Sequence, residues 1–342
     1  MYNDVRVLDV HGHVSPPFGG LGAWLTFMLG SNGPMPDLMS APGQAVAARY
    51  GLGRDDMVAP AAEHVKVLDV RNIDVQLIGP RPFLTFGWME DHLLAPWARA
   101  VNDVIAQQCA LHPDRFVGAC QLPQDAHAAD TRHVLDELDR CVNDYGFAAA
   151  YVSPDPTGRR DGAGMDEPYW YPLYERCAEL DVPIIVHGTN CLDKRLRRVP
   201  NNYQLAFVAE QYWAGQVLSH SDVFSRYPGL RVMICHCGGA LNRFMPSDPH
   251  LSQQDLSANL FYDTCAHDLV FLEAAIRQRG VPVMCFGTEA PGSGGAIRPE
   301  SGRPADDLVA VLAEFSFLTE ADRVAIFHDN PLRLVPGLKA VA

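Results

Sequence analysis

The chain has 342 residues, of which 48% are hydrophobic and 20% are charged, a composition typical of a globular protein with a large buried core. Its formal net charge is −14 and its basic residues are scattered, which argues against a nucleic-acid or membrane-surface partner. No apolar run approaches the roughly 18 residues of a membrane span, and the N-terminus does not resemble a signal peptide. Nine cysteines, without paired spacing except at Cys235 and Cys237, predict reduced thiols. We therefore expect a cytoplasmic protein.

Short apolar runs alternate with amphipathic stretches along the chain. The runs predict eight strands, at residues 5–10, 75–78, 116–120, 147–152, 182–186, 230–235, 260–263 and 281–286. The amphipathic stretches predict crossover helices at 93–112, 127–144, 169–180, 205–218 and 269–279, and closing helices at 306–315 and 320–327. Length alone allows two domains or one large barrel. The βα alternation favours an α/β fold, a (β/α)8 TIM barrel that forms one domain over residues 1–342.

Three segments rich in Gly and Pro interrupt this alternation. Residues 15–60, after the first strand, predict an insertion that covers the mouth of the barrel. Segments 153–168 and 290–304 fall where βα loops are expected. The stretch PGSGGA at 291–296 has neither a Walker lysine nor dinucleotide-binding spacing, so we interpret it as an active-site loop.

Histidines and one carboxylate close several of the apolar runs. In a TIM barrel the chemistry lies at the C-terminal ends of the strands, where this chain has His11, His13, His187, His236 and Glu289. Side chains alternate along a strand, so His11 and His13 point the same way and can share one ion. Imidazole and carboxylate ligands suit Zn²⁺, with Mn²⁺ and Fe²⁺ as competitors. A single strand-end histidine is more often a core residue, but the convergence of all five side chains favours a metal site.

Basic residues after several strands predict a substrate with carboxylate groups. A guanidinium binds carboxylate through two parallel hydrogen bonds, so a local excess of arginine in an acidic chain is informative. Arg81 is the preferred candidate, because it lies just beyond the second strand between two prolines. The other candidates are Asn190, Arg243, Arg298 and the cluster Lys194, Arg195, Arg197 and Arg198. The alternative for that cluster is a solvated turn that pairs with surface acids.

The same motifs resemble the amidohydrolase superfamily over essentially the whole chain. The segments DVHGH, IIVHG, RYPGLRVMICHCGGALNRF, NLFYDTCAHD and CFGTEAPG occur in this order, as in the branch that contains aminocarboxymuconate semialdehyde decarboxylase, hydratases and aromatic acid decarboxylases. The decarboxylases typically carry aspartate where this chain has Glu289. That glutamate, the glycine of HGH and the segment QLIGPRP at 76–82 resemble the 4-oxalomesaconate hydratases.

The resemblance implies a Zn²⁺ enzyme whose ligands are His11, His13, His187 and Glu289, with His236 as the acid/base beside the metal. Glutamate is longer than aspartate by one methylene, so Glu289 is also a candidate for moving a proton. The implied reaction is hydration of an unsaturated polycarboxylate from aromatic ring cleavage, such as a 4-oxalomesaconate-like compound. Decarboxylation and C–C or C–N hydrolysis on the same barrel stay open, whereas a silent binding protein is disfavoured because every strand-end position keeps a reactive group. We expect the chain to form a homo-oligomer, most simply a dimer. We also expect its substrate to be a small-molecule carboxylate.

Overall fold

The computed structural model describes residues 1–31, 34–125, 128–199, 202–243 and 255–342. Eight parallel strands follow one another in chain order around a nearly closed barrel, which confirms the predicted (β/α)8 fold. The Val10 amide donates to the Phe286 carbonyl at 2.9 Å and the Glu289 amide donates to the His11 carbonyl at 2.7 Å, which joins the last strand region to the first. The strands are β1 Leu8–His13, β2 Val75–Gly79, β3 Phe116–Gln121, β4 Ala149–Val152, β5 Ile184–Val186, β6 Val232–Ile234, β7 Leu260–Asp263 and β8 Met284–Cys285.

Helices connect the strands and surround the barrel. None of the helices in the described ranges is long and apolar enough to cross a membrane. They are α1 Phe18–Gly30, α2 Ala41–Ala47, α3 Arg54–Val70, α4 Asp91–Leu111, α5 Arg132–Tyr145, α6 Tyr171–Glu179, α7 Asn202–His220, α8 Val223–Arg226, the single turn α9 Cys235–Gly238, α10 Leu269–Arg279, α11 Leu308–Glu314, α12 Glu320–Val324, a π-helical turn Ala325–Asp329 and α13 Asn330–Leu334.

The first strand lies three residues further along the chain than the hydrophobic pattern predicts. Val5 pairs with Tyr2 in an antiparallel bridge, and the two residues between them have positive φ angles, so the chain turns before the strand begins. The strand then continues through His13, and its pairing register with β2 shifts between Asp9 and Gly12. His11 and His13 therefore lie within β1 and are fully buried.

Other elements also differ from the sequence predictions. The eighth strand is reduced to Met284–Cys285, because Val281–Val283 forms a 3-10 turn around a proline that cannot donate to the sheet. The fifth helix begins at Arg132, and the predicted start, His127, lies outside the described residues. A helix that the sequence pattern did not predict, α3, completes the crossover between β1 and β2.

The described part of residues 15–60 includes α1, α2, a 3-10 turn at Ala48–Tyr50 and the beginning of α3. Leu21, Trp24 and Met28 of α1 are buried in the main hydrophobic cluster, and α1 contacts α4 on the outside of the barrel. Phe18, at the start of α1, lines a cavity beside β1. A role for this segment as a cover over the barrel mouth stays a prediction.

The floor of the barrel is apolar. Inward-facing side chains from all layers fill it, so the interior is a packed core and not a channel. The cluster is closed from below by residues of the C-terminal segment, and its members include Leu8, Val10, Leu77, Ala119, Ile185, Met233, Phe261, Cys285, Leu334 and Leu338. Polar residues at the C-terminal end of the strands therefore lie above an apolar base, where electrostatic interactions are stronger than in water.

A buried ionic cluster fastens α5 to α4, away from the barrel mouth. Arg140 Nη1 donates to Asp103 Oδ1 at 2.8 Å, and Arg140 Nη2 donates to Glu137 Oε1 at 2.6 Å. The Asp103 side chain is only 1% exposed. Removing the arginine would leave two carboxylates buried without their cation, which is far less favourable than the loss of an exposed ion pair.

We expect Arg140→Ala to lower the free energy of unfolding by about 3 to 5 kcal/mol, because it leaves a buried charge uncompensated. Urea unfolding followed by circular dichroism measures this change. Arg132→Ala is the matched control, since Arg132 pairs with Asp130 at the surface and its side chain is 85% exposed. The control should have the same free energy of unfolding as the unmodified protein. A decrease of less than about 1 kcal/mol for Arg140→Ala would show that the cluster does not hold α4 and α5 together.

Candidate active site

The five side chains predicted from strand ends come together at one end of the barrel. His11 and His13 lie on β1, whereas His187, His236 and Glu289 lie just beyond β5, β6 and β8. One nitrogen each of His11, His187 and His236 and one oxygen of Glu289 all lie within 4.8 Å of one another. His13 Nε2 is 3.6 Å from Glu289 Oε1, so it borders the same cluster. A group of this size and chemistry can hold one divalent ion.

Three of the histidine rings are fixed by acceptors at Nδ1. The Nδ1 of His11 lies 2.6 Å from Asp263 Oδ2, and His13 and His187 each place Nδ1 against a backbone carbonyl, at 2.8 and 2.7 Å. Carboxylates and carbonyls only accept hydrogen bonds, so the protons lie on Nδ1 and the lone pairs on Nε2. Among the described residues these three buried Nε2 atoms have no hydrogen-bond partner. Three unpartnered lone pairs that converge fit a bound cation.

The protonation states of His13 and His187 also fit a metal ion. Burial lowers the pKa of His13 to about 4 and holds the pKa of His187 well below its ordinary value. Both rings are therefore neutral at pH 7, which is the form that binds metals. Burial by itself would raise the pKa of Glu289, but His13 and His236 outweigh it and hold that pKa well below its usual range. The Glu289 carboxylate is ionised and supplies the negative charge of the site.

Glu289 turns its two carboxylate oxygens toward different histidines. Oε1 lies 3.6 Å from His13 Nε2, whereas Oε2 lies 3.8 Å from His236 Nε2 and accepts a hydrogen bond from Ser293 Oγ at 2.7 Å. The backbone of Glu289 is left-handed, with φ 61°. This conformation is strained for a residue other than glycine, and such strain concentrates at functional sites. The carboxylate joins the buried histidines on one side to His236 on the other.

His236 differs from the other histidines in its exposure. It lies in the turn after β6 with φ 53°, and its side chain is 17% exposed, whereas that of His11 is fully buried. Its Nδ1 lies 3.0 Å from Nε2 and 3.1 Å from Oε1 of the Gln211 side chain. A ring that faces the cavity and has a carboxylate beside it can exchange a proton with a bound molecule.

Two adjacent cavities open beside this cluster, and both are lined by Phe207, Glu289 and Ser293. The larger, of about 530 Å³, lies on the β1 side. The smaller, of about 230 Å³, lies on the β6 and β7 side. The larger cavity also includes His13, Phe18, Arg81, Phe83 and Asn190, and the smaller includes His236, Cys265, His267 and Phe271. A small carboxylate fits this space.

Two of the predicted substrate-binding residues line the larger cavity. Arg81 donates from Nε to the Val14 carbonyl at 2.9 Å and from Nη1 to the Pro291 carbonyl at 3.1 Å, so its guanidinium is held in place against the loops after β1 and β8. Asn190 is exposed in the wall of the same cavity. Both residues therefore border the space that a substrate beside Glu289 would occupy.

The other basic candidates are not brought into either cavity wall. Arg243 is exposed, and Arg298 is buried with its Nη2 bonded to the Ala305 carbonyl at 2.7 Å. Arg195 pairs at the surface with Asp193, which favours the alternative of a solvated turn for its cluster. Lys194 and Arg198 of that cluster are also exposed, and the side chain of Arg197 lies outside the described residues. Position after a strand end does not determine where a long side chain points.

The sequence reasoning missed several residues of the site. Asp263 closes β7 and accepts from His11, and the strand-end rule that found the histidines would have identified it. Tyr151 on β4 donates to the Gly12 carbonyl at 3.2 Å, and its ring lies 6.0 Å from that of His13. Ser293, which donates to Glu289, begins a 3-10 turn at Ser293–Gly295 within the segment 291–296 that was predicted to be an active-site loop, but no pattern in the sequence marks the serine itself.

Comparison with known proteins identifies relatives with two kinds of activity. A 2-keto-4-carboxy-3-hexenedioate hydratase from Sphingobium sp. (strain NBRC 103272 / SYK-6) is 31% identical over 292 residues, which is 82% of this chain and 83% of the relative. A gamma-resorcylate decarboxylase from Rhodococcus jostii (strain RHA1) is 32% identical over 185 residues, which is 51% of this chain and 55% of the relative.

A solved structure shares the fold. The 4-oxalomesaconate hydratase of Rhodopseudomonas palustris superposes with a TM-score of 0.78 at 24% identity, over 98% of this chain and 97% of that chain. The Amidohydrolase family matches residues 8–337, a range that includes all eight strands and the five candidate side chains at their C-terminal ends. The chain therefore belongs to the amidohydrolase family.

Proposed function

We propose that this chain is a zinc-dependent hydro-lyase that adds water to the carbon–carbon double bond of an unsaturated polycarboxylate, such as a 4-oxalomesaconate-like product of aromatic ring cleavage. The observation that carries the proposal is the position of Glu289, whose oxygens face His13 at 3.6 Å and His236 at 3.8 Å. The 31% identity to a hydratase over 82% of the chain supports it. Decarboxylation is the second candidate, because a decarboxylase matches half of the chain.

The metal ligands we propose are His11, His13, His187 and Glu289. Three imidazole nitrogens and a carboxylate oxygen suit Zn²⁺, and Mn²⁺ or Fe²⁺ can use the same set. We assign His236 to proton transfer because its ring is 17% exposed toward the cavity, although one of its nitrogens lies within 4.8 Å of the ligand atoms of His11, His187 and Glu289. We assign His13 to the ligand set because its ring is buried with an unpartnered Nε2 that lies 3.6 Å from Glu289 Oε1. A divalent cation held there would polarise a substrate oxygen or lower the pKa of bound water to about 7.

Hydration requires two proton movements, since water loses one proton and a substrate carbon gains one. His236 and Glu289 are two proton-transfer groups on one cavity, and Ser293 keeps Glu289 Oε2 turned toward His236. Decarboxylation, in which a proton replaces CO₂ on carbon, needs one proton donor only. The paired arrangement therefore favours hydration, with His236 as the acid/base and Glu289 as its neighbour in proton transfer.

Arg81 and Asn190 are the proposed carboxylate-binding residues, because both line the larger cavity beside Glu289. We also propose a cytoplasmic location. All nine cysteines are free and seven of them are buried, which fits a reducing compartment. A homodimer stays a prediction from the sequence.

Incubation of the zinc-loaded protein with 4-oxalomesaconate and with 2,6-dihydroxybenzoate distinguishes the two activities. We expect 4-oxalomesaconate to lose the ultraviolet absorbance of its conjugated double bond and to give a product heavier by one water in mass spectrometry. We expect no release of CO₂ from either compound. Release of CO₂ from the dihydroxybenzoate without hydration of the first compound would instead identify a decarboxylase.

Replacing the proposed carboxylate clamp tests substrate binding. We expect Arg81→Ala to lower kcat/KM by roughly 30- to 1000-fold, because loss of a buried charge-assisted contact costs about 2 to 4 kcal/mol. Steady-state kinetics measures the effect, and metal content and Tm show whether the lost bonds to Val14 and Pro291 disturb the loops. Arg195→Ala is the matched control, since Arg195 is already paired with Asp193 at the surface. Unchanged kinetics in Arg81→Ala would exclude it as the clamp.

Replacing His236 tests the separation of chemistry from metal binding. We expect His236→Asn to keep about one metal ion per chain and a near-normal substrate affinity, while kcat falls on the order of 10²- to 10⁴-fold. Elemental analysis, Tm and kcat are measured on one preparation. A variant that loses its metal, or one that melts early but keeps its specific activity per folded molecule, would contradict the acid/base role.

A further inference from the structure

A buried polar network holds the residues on either side of Glu289. Thr288 donates from Oγ1 to Asp9 Oδ2 at 2.5 Å and from its amide to Asp9 Oδ1 at 3.2 Å. The same Thr288 hydroxyl accepts from the Ala290 amide at 3.0 Å. Asp9 and Thr288 are fully buried. The backbone that carries the left-handed Glu289 is thus fastened to β1 by hydrogen bonds that do not involve the Glu289 side chain.

Gln76 on β2 fastens the other side of Glu289. Its Nε2 donates to Asp9 Oδ2 at 2.8 Å and to the Ala290 carbonyl at 2.7 Å. One amide group therefore joins β2, β1 and the loop after β8. Gln76 is fully buried, so a lost bond cannot be replaced by bulk water.

A chain of hydrogen bonds fixes which way the Gln76 amide faces. Gln108 Oε1 accepts from the Ser15 amide at 2.8 Å, so Gln108 Nε2 must donate to His64 Nδ1, at 2.9 Å. Burial lowers the pKa of His64 to about 3, so this neutral ring carries its one proton on Nε2. His64 Nε2 then donates to Gln76 Oε1 at 2.8 Å. Because Gln76 Oε1 faces His64, Gln76 Nε2 must face Asp9 and the Ala290 carbonyl.

The glycine between the two β1 histidines makes room for Gln76. A Cβ at Gly12 would lie 2.2 Å from Gln76 Cδ and 2.4 Å from Gln76 Oε1. Such contacts are impossible, so any larger residue would displace the Gln76 side chain. The glycine of HGH is therefore explained by the path of Gln76 and not by a left-handed backbone, since Gly12 has no positive φ angle.

We propose that Gln76 is a positioning residue that holds Glu289 in its left-handed conformation, with one oxygen toward the metal ligands and the other toward His236. Gly12 is required because Gln76 crosses β1 at that residue. This inference rests on the proposed role of Glu289 as a metal ligand. It does not depend on whether the substrate is hydrated or decarboxylated.

Zinc affinity tests the proposal without any substrate. We expect Gln76→Ala to raise the Kd for Zn²⁺ by about 10- to 100-fold in a titration against a competing chelator. Asn330→Ala is the matched control, because Asn330 is also a buried amide that donates to two backbone carbonyls, those of Val281 and Met284, at the opposite end of β8. The control should lose stability but keep the original Kd. Equal Kd values for Gln76→Ala and the unmodified protein, or an equal rise in the control, would overturn the proposal.

A double-mutant cycle tests the link between Gly12 and Gln76. We expect Gly12→Ala alone to weaken Zn²⁺ binding, and to have little further effect when Gln76→Ala is also present, because the clash has been removed. Additive effects of the two substitutions would overturn the role of Gly12. If Gln76→Ala does not fold, Thr288→Val, which removes the hydroxyl that bonds Asp9 and Ala290, is measured in the same titration. An unchanged Kd in folded Thr288→Val would then contradict the positioning network.

Discussion

Three buried imidazole nitrogens that need a partner dominate the C-terminal end of this barrel. A buried polar atom without a hydrogen bond is unfavourable, yet among the described residues the Nε2 atoms of His11, His13 and His187 are all in this condition. Each ring is held in place by a bond at Nδ1, so it cannot rotate to find another partner without losing that bond. A cation bound at their convergence would offset this cost, so the proposed metal site would couple metal binding to the stability of the fold.

Glu289 connects the three buried histidines to the cavity. An aspartate on the same backbone would be shorter by one methylene, whereas the glutamate spans the distance between His13 and His236. Its left-handed backbone is tolerated because Asp9, Gln76 and Thr288 fix the residues on either side. In the proposed division of the site, one Glu289 oxygen faces the buried histidines and the other faces His236, which lies in the turn after β6.

The sequence predicts the barrel, and it also predicts that the five candidate side chains meet at one end of it, because both follow from simple periodicities. Eight apolar runs set the strand count, and His187 and Glu289 are found by asking which residue follows each run. The predictions fail where the direction of a long side chain, or a turn in the backbone, determines where a residue lies. Arg298 follows the correct strand but bonds Ala305 in its own loop, and the first strand is shifted by the turn that pairs Tyr2 with Val5.

Contacts between distant segments are the part that no single-sequence pattern predicts. Gly12 and Gln76 are 64 positions apart, and only their packing shows why a glycine separates the two histidines. Ser293 likewise acquires its role from the conformation of the loop after β8, which places its hydroxyl against Glu289. Asp263 is an intermediate case, because its position at the end of β7 was available from the sequence.

A crystal structure of the zinc-loaded protein, with data collected at the zinc absorption edge, tests the central claim most directly. The account predicts a single ion at about 2.0 to 2.2 Å from the Nε2 atoms of His11, His13 and His187 and from one oxygen of Glu289. His236 Nε2 should lie beyond bonding distance and face the cavity. An ion bonded to His236 in place of His13, or one not bonded to Glu289, would contradict the account.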